Sequence, residues 1–131
     1  MSNIYDRGVV ILDFGSQYTQ LIARRARELN VYSLILPPET SVDKILSLNP
    51  GALILSGGPS SIYDQNAPDF DQKILDIDLP TLGICYGLHL LTHYSGGKVS
   101  STGTGEYGFA NINIFETENL FNGIKLSLIH I

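Results

Sequence analysis

The chain has 131 residues, 44 % of them hydrophobic, which suffices for one packed core and is too little for two ordinary domains. Eight basic against thirteen acidic residues leave a formal net charge of −5, and no Lys or Arg cluster is interleaved with aromatics, which argues against nucleic acid as a partner. The start MSNIYDRG lacks a basic stretch leading into a long apolar one, and no later run reaches membrane-spanning length. The expectation is therefore a cytoplasmic domain with no membrane partner.

In chain order, the first apolar run is GVVILD, Gly8–Asp13, which reads as a strand buried on both faces because its apolar residues run on rather than alternate. SQYTQLIARRARELN follows as a helix, with Tyr18, Leu21, Ile22 and Leu29 at helical spacing, Ser16 as N-cap and Asn30 as C-cap. Its Arg24, Arg25 and Arg27 point in different directions and read as a solvated face. VYSLIL (Val31–Leu36) is the second strand, TSVDKILSLNP a short helix, and GALILS (Gly51–Ser56) the third strand. DFDQKILDID is read as another helix, opened by Asp69 with Gln72 three residues later, and LPTLGI (Leu79–Ile84) as the fourth strand. The helix YGLHLLTHYS comes next. From Gly96 onward Gly, Ser and Thr dominate, and segments such as ANINIF suggest loop with antiparallel or edge strands. Strands alternating with helices predict right-handed crossovers and a three-layer, doubly wound, mostly parallel α/β sheet.

Ligands in such sheets bind at the carboxyl ends of the strands, so the loops after Asp13, Ser56 and Ile84 are the places to look for chemistry. GICYG places Cys85, the only cysteine, in a strand–turn–helix elbow of the G-x-nucleophile-x-G type. A side chain at Gly83 or Gly87 would collide where the chain doubles back. The turn lifts the thiol to the N-terminus of the next helix, where the helix dipole favours an anion, and directs the Tyr86 N–H towards any oxyanion formed on a carbonyl that Cys85 attacks. In SGGPSS, Gly57 and Gly58 allow close backbone approach and Pro59 stiffens the exit, which suits a second fixed N–H donor. A lone cysteine leaves no internal disulfide and no thiolate metal cluster, and no metal site is expected. No phosphate-binding G-x-x-x-x-G-K-[ST] is present, and DFG at Asp13–Gly15 stands without any other kinase signature.

LGICYG, ILSGGP and ILDFGSQYTQLIARRARELNVYS resemble the class I glutamine amidotransferase family from about Val9 to Phe121. DFGSQYTQ, GGPSSIYDQNAP and EYGFA are similar to the member that supplies ammonia for amination of xanthosine monophosphate to GMP. The resemblance implies that Cys85 attacks the side-chain amide of glutamine, that the N–H groups of Gly58 and Tyr86 form the oxyanion hole, and that Glu106, Tyr107, Gly108 and Phe109 help hold the amino-acid end of the substrate. It also implies an ATP-dependent synthetase partner, in the same chain or on a separate one, with ATP and Mg belonging there and none in this domain, and a homodimer for the full enzyme.

Two departures stand out. His89 occupies the helix position where the family usually has a substrate-contacting Gln, so it is carried as a substitute ligand; His93, a turn further on, reads as an ordinary helix histidine. The family's His and Glu, general base and orienting carboxylate, belong to a later His-Pro-Glu type motif that His130 in LSLIHI does not match. The expectation is a partial, C-terminally truncated domain over 1–131 that carries the nucleophile half of the site and does not turn over glutamine alone. The alternatives are the amidotransferase subunit of another pathway, such as anthranilate or carbamoyl phosphate synthesis, and a non-catalytic α/β docking module.

Overall fold

The structure, a computed structural model, describes residues 7–58, 65, 67–97, 109–111 and 128–130. The chain separates into two compact units, Met1–Val99 and Ser100–Ile131.

In the first unit four short strands, β1 (Val9–Leu12), β2 (Ser33–Leu36), β3 (Ala52–Leu55) and β4 (Thr81–Gly83), form one parallel sheet in the order β2-β1-β3-β4. Val10 lies opposite Leu34 on one side and Leu53 on the other, and Ile54 opposite Leu82. The chain leaves β1 in one direction for β2 and returns past it to β3, so right-handed crossovers send the connections to opposite faces. One face of the sheet presents Val10, Leu12, Leu53 and Leu55, which pack with Phe14, Ile45, Ile74, Tyr86 and Leu90 into the core. Pleating turns Ile11, fully buried, to the face covered by α1 (Thr19–Glu28). These features make it an α/β sandwich.

The helices depart from the sequence reading in detail. α1 begins at Thr19 with Tyr18 at the cap position. Ser16, expected there, instead closes a turn ahead of the helix, its Oγ accepting the Tyr18 N–H at 3.0 Å. At the other end Leu29 is the cap and Asn30 follows in the left-handed region (φ 63°). The Asn30 N–H reaches the Arg27 carbonyl at 2.9 Å and the Val31 N–H the Ala26 carbonyl at 2.9 Å, a Schellman ending. Of the apolar residues noted at helical spacing, Tyr18, Leu21 and Leu29 are exposed, Leu29 by 76 %, whereas small Thr19 and Ala23 are buried.

α2 (Val42–Ser47) is capped by Ser41, whose Oγ accepts the Lys44 N–H at 3.2 Å. The segment read as a helix opened by Asp69 is a 3₁₀ turn, Gln72–Asp76, capped by Asp71. Asp71 serves two elements, accepting from Lys73 N–H through Oδ1 and from Val42 N–H through Oδ2, both at 3.1 Å, and these bonds hold its carboxyl below the ordinary value. α3 (Tyr86–Tyr94) follows β4.

In the second unit β5 (Phe109–Asn111) and β6 (Leu128–His130) pair antiparallel, Phe109 opposite His130, as the reading of antiparallel strands in this region expects; the rest of that reading lies outside the described residues.

Candidate active site

The sheet order reverses between β1 and β3, and the carboxyl ends of these strands, with that of β4, bring three loops together. A cavity of about 400 Å³ lies there, lined by Gly15, Ser16, Gln17 and Tyr18 after β1, Gly57 and Gly58 after β3, and Cys85 after β4. A larger cavity of about 560 Å³, near Arg7, Pro50 and Leu79, lies at the opposite, amino-terminal ends of the strands and has no Cys, Ser or Thr in its lining.

Cys85 sits at the cap of α3 with φ 51° and ψ −114°, a positive-φ conformation that a side chain rarely adopts and that is the strained turn of a nucleophile elbow. The neighbouring hydrogen bonds over-determine it: Ile84 N–H donates to the Leu55 carbonyl at 2.9 Å, Gly87 N–H lies 3.0 Å from the Ile84 carbonyl and 3.2 Å from that of Ser56, and His89 N–H donates to the Cys85 carbonyl at 3.1 Å. The elbow glycines are a steric requirement, as expected. A Cβ on Gly87 would fall on the Leu55 carbonyl, and one on Gly83 would stand 2.8 Å from the Gly87 backbone. The Cys85 thiol is free and exposed.

The β3 loop is packed backbone against backbone. A Cβ on Gly58 would fall on the Phe14 carbonyl, and one on Gly57 would come within 3.1 Å of the Cys85 Cβ. Phe14, buried beneath the loops, meets Tyr86 with ring centroids 5.2 Å apart and Phe70 at 5.9 Å. A polar cluster joins the same loops. Phe14 N–H donates to Ser56 Oγ at 3.3 Å, Thr19 Oγ1 pairs with Ser56 Oγ at 3.1 Å and with Asp13 Oδ1 at 3.2 Å, and Gly15 N–H donates to Asp13 Oδ1 at 2.8 Å. Sequence reasoning missed this cluster and set Asp13–Gly15 aside as a stray motif; the signal was polar Thr19 at a helix position that turned out to face inward.

The structure therefore brings Cys85 and Gly58 to one cavity, with the Tyr86 amide, first of α3, directly after the thiol. It does not bring His89 there: that side chain is exposed, one turn along α3, and is not among the residues lining the cavity. Glu106, Tyr107 and Gly108 lie outside the described residues, and Phe109 opens β5. Among the described residues no group of three His, Cys, Asp or Glu is placed to hold a metal, and no helix is long and apolar enough to cross a membrane.

A doubly wound α/β sheet that lifts a cysteine on a strained strand-to-helix elbow, beside a closely packed glycine loop, is the arrangement that thiol enzymes use for acyl transfer. The sequence profile of the glutamine amidotransferase class-I family matches residues 10–130, and the chain belongs to that family. The GMP synthase (glutamine-hydrolyzing) of Bacillus subtilis (strain 168) is 49 % identical over 124 residues, covering 95 % of this chain and 24 % of that protein. The protein of the same name from Brachyspira hyodysenteriae is 50 % identical over 127 residues, covering 97 % and 24 %. The chain thus spans about a quarter of the length of these relatives. Among solved structures, a Thermoplasma acidophilum protein described as one subunit of GMP synthase superposes with a TM-score of 0.71 at 26 % identity, over 92 % of this chain and 61 % of that one.

Proposed function

We propose that this chain carries the glutaminase nucleophile of an enzyme that aminates xanthosine monophosphate to GMP. The observation that carries the reading is Cys85, held at positive φ and opening onto the cavity that Gly57 and Gly58 also line. The Cys85 thiolate adds to the carboxamide carbon of glutamine, and the carbonyl electron pair moves onto oxygen, where the N–H groups of Gly58 and Tyr86 receive the charge. The C–N bond then breaks, the nitrogen takes a proton and leaves as ammonia, and a γ-glutamyl thioester remains. Water adds to the thioester carbon, the thiolate departs, and glutamate is released. Both proton transfers require a positioned acid–base group, which the described residues do not bring to the cavity.

In this reading the ammonia passes to a synthetase domain or subunit, to which ATP and Mg belong, in a cytoplasmic enzyme that self-associates. Glu106, Gly108 and Phe109 hold the amino-acid end of glutamine, and His89 stands where the family places a substrate-contacting Gln. The names of the relatives and the match of their sequences across nearly the whole chain support it.

The test is directed labelling. A chloromethyl ketone analogue of glutamine is expected to alkylate Cys85 in the folded chain, with the site mapped by mass spectrometry, protection by excess glutamine, and no labelling of Cys85→Ala. Gly58→Ala, which drives a methyl into the Phe14 carbonyl, is expected to slow this reaction about a hundredfold, the scale of a lost oxyanion donor. Labelling that glutamine does not protect, at a rate no faster than that of an undirected alkylating agent, would sink the reading.

A further inference from the structure

Thr19 and Ser56 are buried polar side chains beside the cavity, 1 % and 0 % exposed, and the covalent steps use neither. Thr19 is the first residue of α1, and Ser56 directly precedes Gly57. Their hydroxyls lie 3.1 Å apart. From that joint one arm reaches Asp13 Oδ1 at 3.2 Å, and the other receives the Phe14 N–H at 3.3 Å while standing 3.3 Å from the Gly57 carbonyl. The joint therefore ties the loop after β1 to the loop after β3, the two walls of the cavity that face Cys85.

Such a tie answers a physical need. Two successive glycines have no side chain to anchor them and the widest backbone freedom of any residue, yet an oxyanion donor acts only if its N–H is fixed before the charge develops. Hydroxyls sealed from water exchange their partners only at the full cost of desolvation, so a buried joint holds the loop better than an exposed one. We propose that Thr19 is a positioning residue: through Ser56 and Asp13 its hydroxyl holds the Gly57–Gly58 loop at the geometry that directed attack on glutamine requires. The proposal rests on the glutaminase reading.

Thr19→Val keeps the side-chain shape and removes the hydroxyl. Labelling of Cys85 by the glutamine chloromethyl ketone, whose ketone oxygen needs the donors, is expected to slow by about tenfold or more, the scale on which small misplacements act. Alkylation by iodoacetamide, a displacement that needs no oxyanion donor, is expected to keep its wild-type rate, and Thr19→Ser to restore the directed rate. An unchanged directed rate in Thr19→Val, or an equal loss with both reagents, overturns the proposal. Should Thr19→Val lack a cooperative unfolding transition, Ser56→Ala cuts the same joint from the other side and decides by the same ratio of rates. Absence of glutamine-protected labelling in the wild-type chain would instead strike the glutaminase reading, and this proposal with it.

Discussion

The two faces of the parallel sheet are closed by different means. On the face of α2, the 3₁₀ turn and α3, large side chains fill the space: Ile45, Ile74, Tyr86 and Leu90 meet Val10, Leu12, Leu53 and Leu55, with Phe14 at the edge beneath the cavity. On the face of α1 the closure is thin. Ala23 and Ile11 are fully buried, Ser33 Oγ donates to the Ala23 carbonyl at 3.1 Å, and Arg27 Nη2 donates to the Ser33 carbonyl at 3.0 Å. Small residues and hydrogen bonds allow α1 to lie close to the sheet, which brings Thr19 within reach of Ser56. The thick face supplies hydrophobic stability and the helix that carries the nucleophile. The thin face supplies polar alignment.

Substitutions that ignore this difference are expected to reveal it. The largest effect belongs to the thick face: Leu53→Ala removes a fully buried side chain and is expected to cost about 2–5 kcal/mol in urea unfolding. A loss near zero would mean that the aliphatic core does not carry the fold. Next comes the thin face, where Ala23→Leu adds apolar bulk at a site with no room and is expected to destabilise by about 1–3 kcal/mol, although it makes the helix more hydrophobic. Stabilisation there would show that α1 has space to spare.

A smaller, pH-dependent effect is expected at Asp71, which caps the 3₁₀ turn and accepts the Val42 N–H of α2 on the thick face, whereas α1 has no side-chain cap. Its folded carboxyl titrates below its ordinary 3.8, so the stabilisation is fully present above that value and is lost as the pH falls through the lower, folded one. Thermal melts of Asp71→Asn should therefore lie below wild type at neutral pH and converge with it as the pH drops below 3.8. The smallest effect is Leu29→Ser, on the outer side of α1, expected to change stability by no more than about 0.5 kcal/mol.

The same contrast explains what the sequence revealed. The four strands were legible from their apolar runs, and VVIL, SLIL, ALIL and TLG fall inside the runs identified, although the edge strands β2 and β4 are only partly buried rather than buried on both faces. The elbow was legible because its two glycines flank Cys85 at a spacing set by steric collision. The inward side of α1 was not: pattern reading weights large apolar residues, so Tyr18, Leu21 and Leu29 outvoted Thr19 and Ala23, although the buried pair, four residues apart, lies on one helical face. The polar joint failed for the same reason, because its partners, Asp13, Thr19 and Ser56, are far apart in the chain and meet only once α1 is seated. Asp69 was preferred to Asp71 as a cap because Gln72 completed a local motif; the 3₁₀ turn uses the nearer carboxylate, which also serves Val42.

The backbone at Cys85 sets selection for chemistry against selection for persistence. A non-glycine residue at φ 51° carries about 1–3 kcal/mol of conformational penalty, repeated in every folded molecule whether or not substrate is present. Cys85→Gly relieves that penalty while deleting the nucleophile, so at this position the substitution that loses the reaction is one the fold would welcome. A lineage released from the need for the reaction would find position 85 among the first places to drift, with Gly83 and Gly87 kept behind as the steric imprint of a turn whose purpose has gone.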